Sequence, residues 1–208
     1  MRRAENFILF AAILLFSFAA FSRNFVWMDG VSFWSDVAGK SPHEARPLNN
    51  LGSALMSAGR YDEAIAELKN SVKADPWYPE SHFNLGVCYL KKGLLDDAIP
   101  EFDMVLRINA VLKGGHFGEG GSPRNELGAH ANLGNIYNVK GMSENAVSHY
   151  KEAIAVSKDD ASVRFNLAIT YKRLGMVKEA KAEFEEVLRI NPSDEGARWN
   201  LSIIGGRE

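Results

Sequence analysis

The chain has 208 residues, 46% of them hydrophobic and 24% charged, a balance that excludes an intrinsically disordered protein. A net charge of −2 gives no electrostatic case for nucleic acid as a partner. The single cysteine, Cys88, excludes an intramolecular disulfide and leaves the compartment open.

Residues 1–28 differ in kind from the rest. Arg2 and Arg3 precede Phe7 to Ser22, a run without a charge. As a helix rising ~1.5 Å per residue it spans roughly 24 Å, a little less than a hydrocarbon core of about 30 Å. The first reading is a signal anchor, with Arg3 and Arg23 snorkelling to the two interfaces and Trp27 at a headgroup boundary. A signal peptide cleaved near Ala20-Phe21-Ser22 and a buried helix of a soluble protein are the alternatives. Two arginines before the segment against one just after it place the body on the non-cytoplasmic side, periplasmic, lumenal or extracellular. Cleavage would make the body a secreted protein.

Residues 29–44 carry Trp34, Val37 and Pro42 and read as a short helix stopped by proline. From residue 45 the sequence repeats. Leu51-Gly52, Leu85-Gly86, Leu133-Gly134, Leu167-Ala168 and Leu201-Ser202 mark a period of 34 residues, broken once by an insertion. The repeats are 45–78, 79–112, 127–160 and 161–194, with a partial fifth from Glu195. Counted within a repeat, position 7 is leucine throughout. Position 8 is small (Gly52, Gly86, Gly134, Ala168) and position 15 is glycine (Gly59, Gly93, Gly141, Gly175). Position 20 is alanine (Ala64, Ala98, Ala146, Ala180), and position 24 is large (Leu68, Phe102, Tyr150, Phe184).

Positions 4, 7, 8 and 11 share one face of a first helix, and 20, 24 and 27 one face of a second. Glycine at 15 ends the first helix in the left-handed region. Small residues at 8 and 20 let the two axes approach. One such hairpin cannot bury its own apolar faces, so neighbours must stack.

This pattern resembles the tetratricopeptide-repeat (TPR) family. The resemblance implies an all-α helix-turn-helix solenoid of four full repeats; the register adds half-repeat caps at 29–44 and 195–208, and the uncharged run adds one N-terminal membrane helix before them. Trp199 and Leu201 are expected to cover the last apolar face. Proline stands at position 32 in the first and fourth repeats (Pro76, Pro192), whereas Ala110 and Lys158 replace it in the second and third. The second helices of those two repeats are therefore expected to run on further. The stretch from Arg23 to Gly52 also resembles the junction in transmembrane-and-tetratricopeptide-repeat proteins, whose membrane part is like that of lipid-sugar-dependent glycosyltransferases. That likeness implies a membrane helix feeding directly into repeats.

The insertion, 113–126, reads KGGHFGEGGSPRNE. Neither a phosphate-binding Gly-Lys-Ser/Thr nor a strand-led dinucleotide motif is present, so it reads as a flexible loop. None of the five histidines lies three or four residues from another, so no helix face offers a paired metal site. Cys88 reads as a packed thiol, and the carboxylates of the second helices, among them Glu183, Glu185 and Glu186, as a solvated outer face. No catalytic site and no cofactor is expected.

Position 6 is asparagine in every repeat: Asn50, Asn84, Asn132 and Asn166, with Asn200 in the cap. The row resembles the asparagine ladder in the inner groove of the O-linked N-acetylglucosamine transferase repeats, which implies a grip on the backbone of an extended peptide. A side-chain amide has two donors and an acceptor, so it can pair with any peptide unit. The expected groove adds Phe83, Val87, Leu90, Asn135, Phe165, Ile169, Lys172 and Arg173. The partner is then a protein or extended peptide segment with apolar anchors and acidic residues. The basic clamp of the chaperone-binding subclass needs lysine at position 5 of the first repeat, where Asn49 stands. Two functions remain: a membrane-tethered scaffold, or an accessory module of a polytopic glycosyltransferase-like membrane protein. Oligomeric state is not legible.

Overall fold

The computed structural model describes residues 29–114 and 122–205. The expected membrane segment, Trp27 included, and half of the insertion (115–121) lie outside the described residues. No helix of the described residues is long and apolar enough to cross a membrane.

The described residues form ten helices and no strand: α1 (Gly30–Lys40), α2 (Ala45–Ser57), α3 (Tyr61–Ala74), α4 (Pro79–Lys91), α5 (Leu95–Gly114), α6 (Pro123–Val139), α7 (Ser143–Val156), α8 (Ala161–Arg173), α9 (Val177–Ile190) and α10 (Glu195–Gly205). The fold is an all-α TPR helical solenoid. Contacts divide it after Pro76 into two units. The first holds α1 and the hairpin α2–α3. The second holds the hairpins α4–α5, α6–α7 and α8–α9, with α10 at the end.

In the first unit Asp29 caps α1, accepting from the backbone N–H groups of Val31 and Ser32 at 3.3 and 3.2 Å. Those bonds hold the Asp29 carboxyl below its ordinary value. The apolar core of this unit is Ala38, Leu48, Leu51, Leu55, Ala64 and Leu68, all buried.

Every hairpin turns the same way. Gly59, Gly93, Gly141 and Gly175 have φ of 73–75°, a region that costs glycine nothing. Each turn is closed by one long backbone bond, from the N–H at position 16 to the carbonyl at position 11. The four are Arg60 to Leu55, Leu94 to Tyr89, Met142 to Tyr137 and Met176 to Tyr171, at 2.8–2.9 Å. Within the first three hairpins, position 8 lies against position 24. A Cβ added at Gly52 would stand 2.6 Å from Leu68, at Gly86 2.9 Å from Phe102, and at Gly134 2.5 Å from Tyr150. The large side chains opposite are fully buried.

Helix ends depart from expectation at two places. Helix α5 runs on to Gly114, but α7 stops at Val156, the same repeat position at which α3 and α9 stop. Proline is not what ends it. The Ser157 N–H bonds back to the Ala153 carbonyl, and Asp160 caps α8 by accepting from the Val163 N–H at 3.0 Å. Helix α6 begins at Pro123, inside the expected loop. Ser122 caps it, its hydroxyl accepting from the Asn125 N–H, and proline fills the first turn. Asn109, almost fully buried, donates to the Ser122 carbonyl and accepts from the Ser122 N–H, and Lys113 pairs with Glu126. The start of α6 is thereby strapped to α5.

The cap α10 buries Ala197, Asn200 and Ile204 (positions 3, 6 and 10), whereas Trp199 is 62% exposed. Trp199 therefore does not cover the last apolar face. It lies at position 5, off the buried stripe of a first helix, and Lys172 Nζ sits over its ring.

A polar contact crosses each hairpin of the second unit between positions 4 and 23. His82 Nδ1 meets Glu101 Oε2 at 2.6 Å, and Arg164 Nη1 meets Glu183 Oε2 at 2.6 Å. Glu183 thus faces inward rather than outward as expected. In the third repeat the pair is His130 and His149, Nδ1 to Nδ1 at 3.1 Å, with Tyr137 stacked on His149. These two histidines, which share no helix face, are brought together by the hairpin.

Two predictions follow from this packing. Gly134→Ala forces a methyl against Tyr150, which is locked by burial. It should destabilise the chain by about 1–2 kcal/mol, overpacking outweighing the helix propensity gained. Gly39→Ala meets nothing within 4 Å and should stabilise by up to about 1 kcal/mol. Urea unfolding followed by circular dichroism reads both, and equal signs would refute the packing account.

The second concerns acid. Burial, then the adjacent imidazole, holds His130 below its ordinary value. Burial does the same to His149, and Asp103, Glu126 and Glu152 around the pair only partly oppose it. Such a group binds protons preferentially when unfolded, so its contribution is complete above about pH 6.5 and is lost as pH falls below that. Between about pH 7.5 and 5.5 the melting temperature should fall further for wild type than for His149→Glu, which gives His130 the carboxylate that His82 has. Equal falls would remove the pair as the source.

Candidate functional site

The expected groove residues of the second unit lie on three first helices: Phe83, Asn84, Val87 and Leu90 on α4, Asn132 and Asn135 on α6, and Phe165, Asn166, Ile169, Lys172 and Arg173 on α8. Asn50 belongs to the first unit. It is half-buried and, with Asp29, Trp34 and Ser53, lines an open cavity of about 450 Å³.

The two phenylalanines are not free anchors. Phe83 lies edge-on to Phe102, with ring centroids 5.8 Å apart, and Phe165 lies edge-on to Phe184 at 5.5 Å. Each ring also fills the space beside a glycine at position 2 of the following repeat. A Cβ at Gly128 would stand 2.7 Å from Phe83, and one at Gly196 3.1 Å from Phe165. These rings belong to the seams between successive repeats. Val87, Leu90 and Ile169 are half-buried and leave part of their apolar surface in solvent.

The asparagines divide by what they already bond. Asn200 is 3% exposed, accepts from Lys172 Nζ at 2.7 Å and donates to the Gly196 carbonyl at 2.8 Å, so its amide is spent inside the fold. Asn166 donates to Asn135 Oδ1 at 3.1 Å. Asn132, half-buried, has no side-chain hydrogen bond among the described residues. Its donors and its acceptor are free for a ligand.

Two groups of hydrogen bonds lie side by side here, Arg173 with Asn138 and Tyr150 with Asn135 and Asn166. Arg173 Nη1 donates to Asn138 Oδ1 at 2.8 Å and to the Asn138 carbonyl at 3.2 Å. The Tyr150 hydroxyl, beside the Asn138 amide, donates to Asn135 Oδ1 at 2.7 Å. The Tyr150 ring is fully buried, so its hydroxyl reaches the groove from the core. Burial pushes that phenol up to about 12, against the opposing pull of the Asn138 amide and the charge of Arg173. It is a neutral donor at any physiological pH. Asn138 and Tyr150 were not among the expected groove residues. The signal was there in position 24, where a tyrosine stands in place of phenylalanine or leucine.

Burial pushes the Cys88 thiol up to about 11, far from a reactive thiolate. Among the described residues no group of three or more His, Cys, Asp or Glu side chains is placed to hold a metal ion.

Three family models match the chain, two described as tetratricopeptide repeat, over 49–111 and 161–194, and one as TPR repeat, over 134–175. Over 86 residues the chain is 35% identical to protein O-mannosyl-transferase Tmtc2 of Drosophila melanogaster, a match covering 40% of the chain and 9% of that protein. The chain thus spans under a tenth of the length of the curated relatives it matches. Among solved structures it is similar to YrrB, described as a TPR protein with an unusual peptide-binding site, with a TM-score of 0.68 and 18% identity over 84% of this chain and 82% of that one. It is also similar to MamA, with a TM-score of 0.64 and 21% identity over 78% and 81%. At these identities the structural likeness shows the fold. The residues matched by the three models together make up more than half of the sequence, and the chain belongs to the tetratricopeptide-repeat family.

Proposed function

We propose that the chain is a membrane-tethered scaffold whose repeats hold an extended peptide segment of a partner protein along α4, α6 and α8. The observation that carries this reading is the row of groove amides at Asn132, Asn135 and Asn166, each with donors or acceptors left over and flanked by the part-exposed Val87, Leu90 and Ile169. Amides suit a peptide backbone whatever its sequence, and the apolar side chains suit anchors between them. The peptide-binding site named for YrrB supports the same use of this fold.

A second reading, an accessory module of a polytopic glycosyltransferase-like protein, is favoured by the similarity to Tmtc2. Both readings take the uncharged run from Phe7 to Ser22 as a membrane anchor and set the repeats on the non-cytoplasmic side.

Selection of random twelve-residue peptides displayed on phage against the full chain in detergent should yield binders. Asn132→Ala and Asn166→Ala should each weaken the selected peptides roughly three- to tenfold, while Lys178→Ala on α9 should not. An absence of binders, or binders indifferent to both asparagines, would overturn the groove reading.

The anchor is tested separately. After alkaline carbonate washing the full chain should stay with the membrane, whereas residues 29–208 alone should be released. Release of the full chain would refute the tether.

A further inference from the structure

The hairpin turns of the second unit end in apolar side chains. Leu94, Met142 and Met176 hold position 16 of their repeats, directly after the left-handed glycine, and Val139 and Val177 stand within three residues of them. All five are between 37% and 75% exposed. The turns lie side by side. Lys140, in the turn after α6, pairs with Asp96 at the start of α5. Arg173, the last residue of α8, donates to the carbonyl and Oδ1 of Asn138, near the end of α6, at 3.2 and 2.8 Å. The tips therefore form one edge of three successive repeats. The turn of the first unit differs: its position 16 is Arg60, paired with Glu63.

Two properties of this edge bear on what covers it. The first is its backbone. In each turn the N–H groups at positions 14, 15 and 16 are bonded inside the hairpin; for Leu94, Met142 and Met176 the acceptors are the carbonyls of Tyr89, Tyr137 and Tyr171. A turn with its donors spent can enter an apolar medium without leaving them unsatisfied. The second is its cations. Lys91 and Lys92 precede Leu94, Lys140 precedes Met142, Arg173 precedes Met176 and Lys178 follows Val177, and all are exposed. The carboxylates of the same edge, Asp96, Asp97, Glu144 and Glu179, lie in the first turns of the second helices. The helix N-terminus favours them there, and Lys140 neutralises Asp96.

We propose that this edge seats on a phospholipid bilayer: Leu94, Val139, Met142, Met176 and Val177 enter the boundary between headgroups and acyl chains, and the cations beside them reach the phosphates. The proposal rests on the tether reading and adds the face of the repeats that lies on the membrane. Tips one repeat apart suit a fluid surface, which closes around each of them, better than a rigid partner, which must match all three. The composition points the same way. Protein interfaces concentrate tyrosine, tryptophan and arginine and are depleted of lysine. Positions 13 to 17 of these three turns hold lysine and aliphatic residues and no aromatic ring. Aliphatic side chains with cations alongside are the make-up of interfacial segments, in which the charged heads stay at headgroup level while their stems lie along apolar surface.

The test places the full chain, carrying an environment-sensitive NBD label on Val139→Cys, in vesicles of phosphatidylcholine with about one-fifth phosphatidylglycerol, with and without doxyl-labelled lipid. A second labelled variant, Lys158→Cys, reports the opposite ends of the helices, in the link between α7 and α8. Cys88 is fully buried and takes no label. At Val139→Cys the emission should shift to the blue, and doxyl lipid should quench it by roughly half or more, as for a group at the headgroup boundary. At Lys158→Cys neither should happen. Adding Met142→Asp and Met176→Asp should abolish the quenching at Val139→Cys, with the circular dichroism unchanged. A label there that stays in water, in vesicles that hold the chain, would leave the edge to a partner protein and overturn the proposal. So would equal quenching at both sites, or quenching that survives the double substitution. A blue shift that follows protein concentration and ignores doxyl lipid would give the edge to a second copy of the chain, again against the proposal. A chain that leaves the vesicles on alkaline washing would sink the tether and the seated edge with it.

Discussion

The first three hairpins depend on a contact between a position with no side chain and a position with a large one. Gly52 lies against Leu68, Gly86 against Phe102 and Gly134 against Tyr150, at separations that leave no room for a Cβ. The approach of the two axes follows from it, and so does the register of everything else across the hairpin. With the axes that close and the turn fixed by a left-handed glycine, positions 4 and 23 must meet, whatever residues occupy them. Repeats two and four use that meeting for opposite charges. Repeat three fills it with two imidazoles, neither of which gains from ionising beside the other.

The same constraint sets the seams. A ring at position 5 needs room on the next repeat, and glycine at position 2 supplies it twice, at Gly128 and Gly196. In the third repeat position 5 is Ala131, and position 2 of the fourth is Ser162, a smaller residue followed by a larger one. The seam is therefore a pairing of sizes, with no fixed residue on either side.

The repeats and their turns were legible because the constraint recurs every 34 residues and leaves the same mark each time. Gly59, Gly93, Gly141 and Gly175 announce their backbone conformation by position alone. What joins helices left fainter marks. His130 and His149 are 19 residues apart, a distance that means nothing until the hairpin is folded, and the same offset hides His82–Glu101 and Arg164–Glu183. Phe83 and Phe165 read as groove anchors because their rings are apolar and at the right turn of the helix, but the glycine that receives each belongs to another repeat. The cap misled for a related reason: Trp199 is the largest apolar residue of α10, yet burial follows the helix stripe through Ala197, Asn200 and Ile204. The asparagines at position 6 were visible as a row. Which of them were already spent was not, since the answer depends on Lys172, Tyr150 and Asn135 lying alongside.

Tyr150 has one end in each of two worlds. Its ring packs against Gly134 at the centre of the hairpin, and its hydroxyl sets the orientation of Asn135 at the surface. On the proposed peptide-groove reading, stability and recognition are for that reason not separable traits in the third repeat. A phenylalanine there, as at the equivalent position of the second and fourth repeats, would keep the packing and release the amide to turn either way. Selection acting on the core alone would tolerate that exchange, while selection acting on the ligand would not. Variation at Asn132, which touches no such relay, carries no comparable burden, so the groove of one repeat contains both a place free to drift and a place tied to the fold.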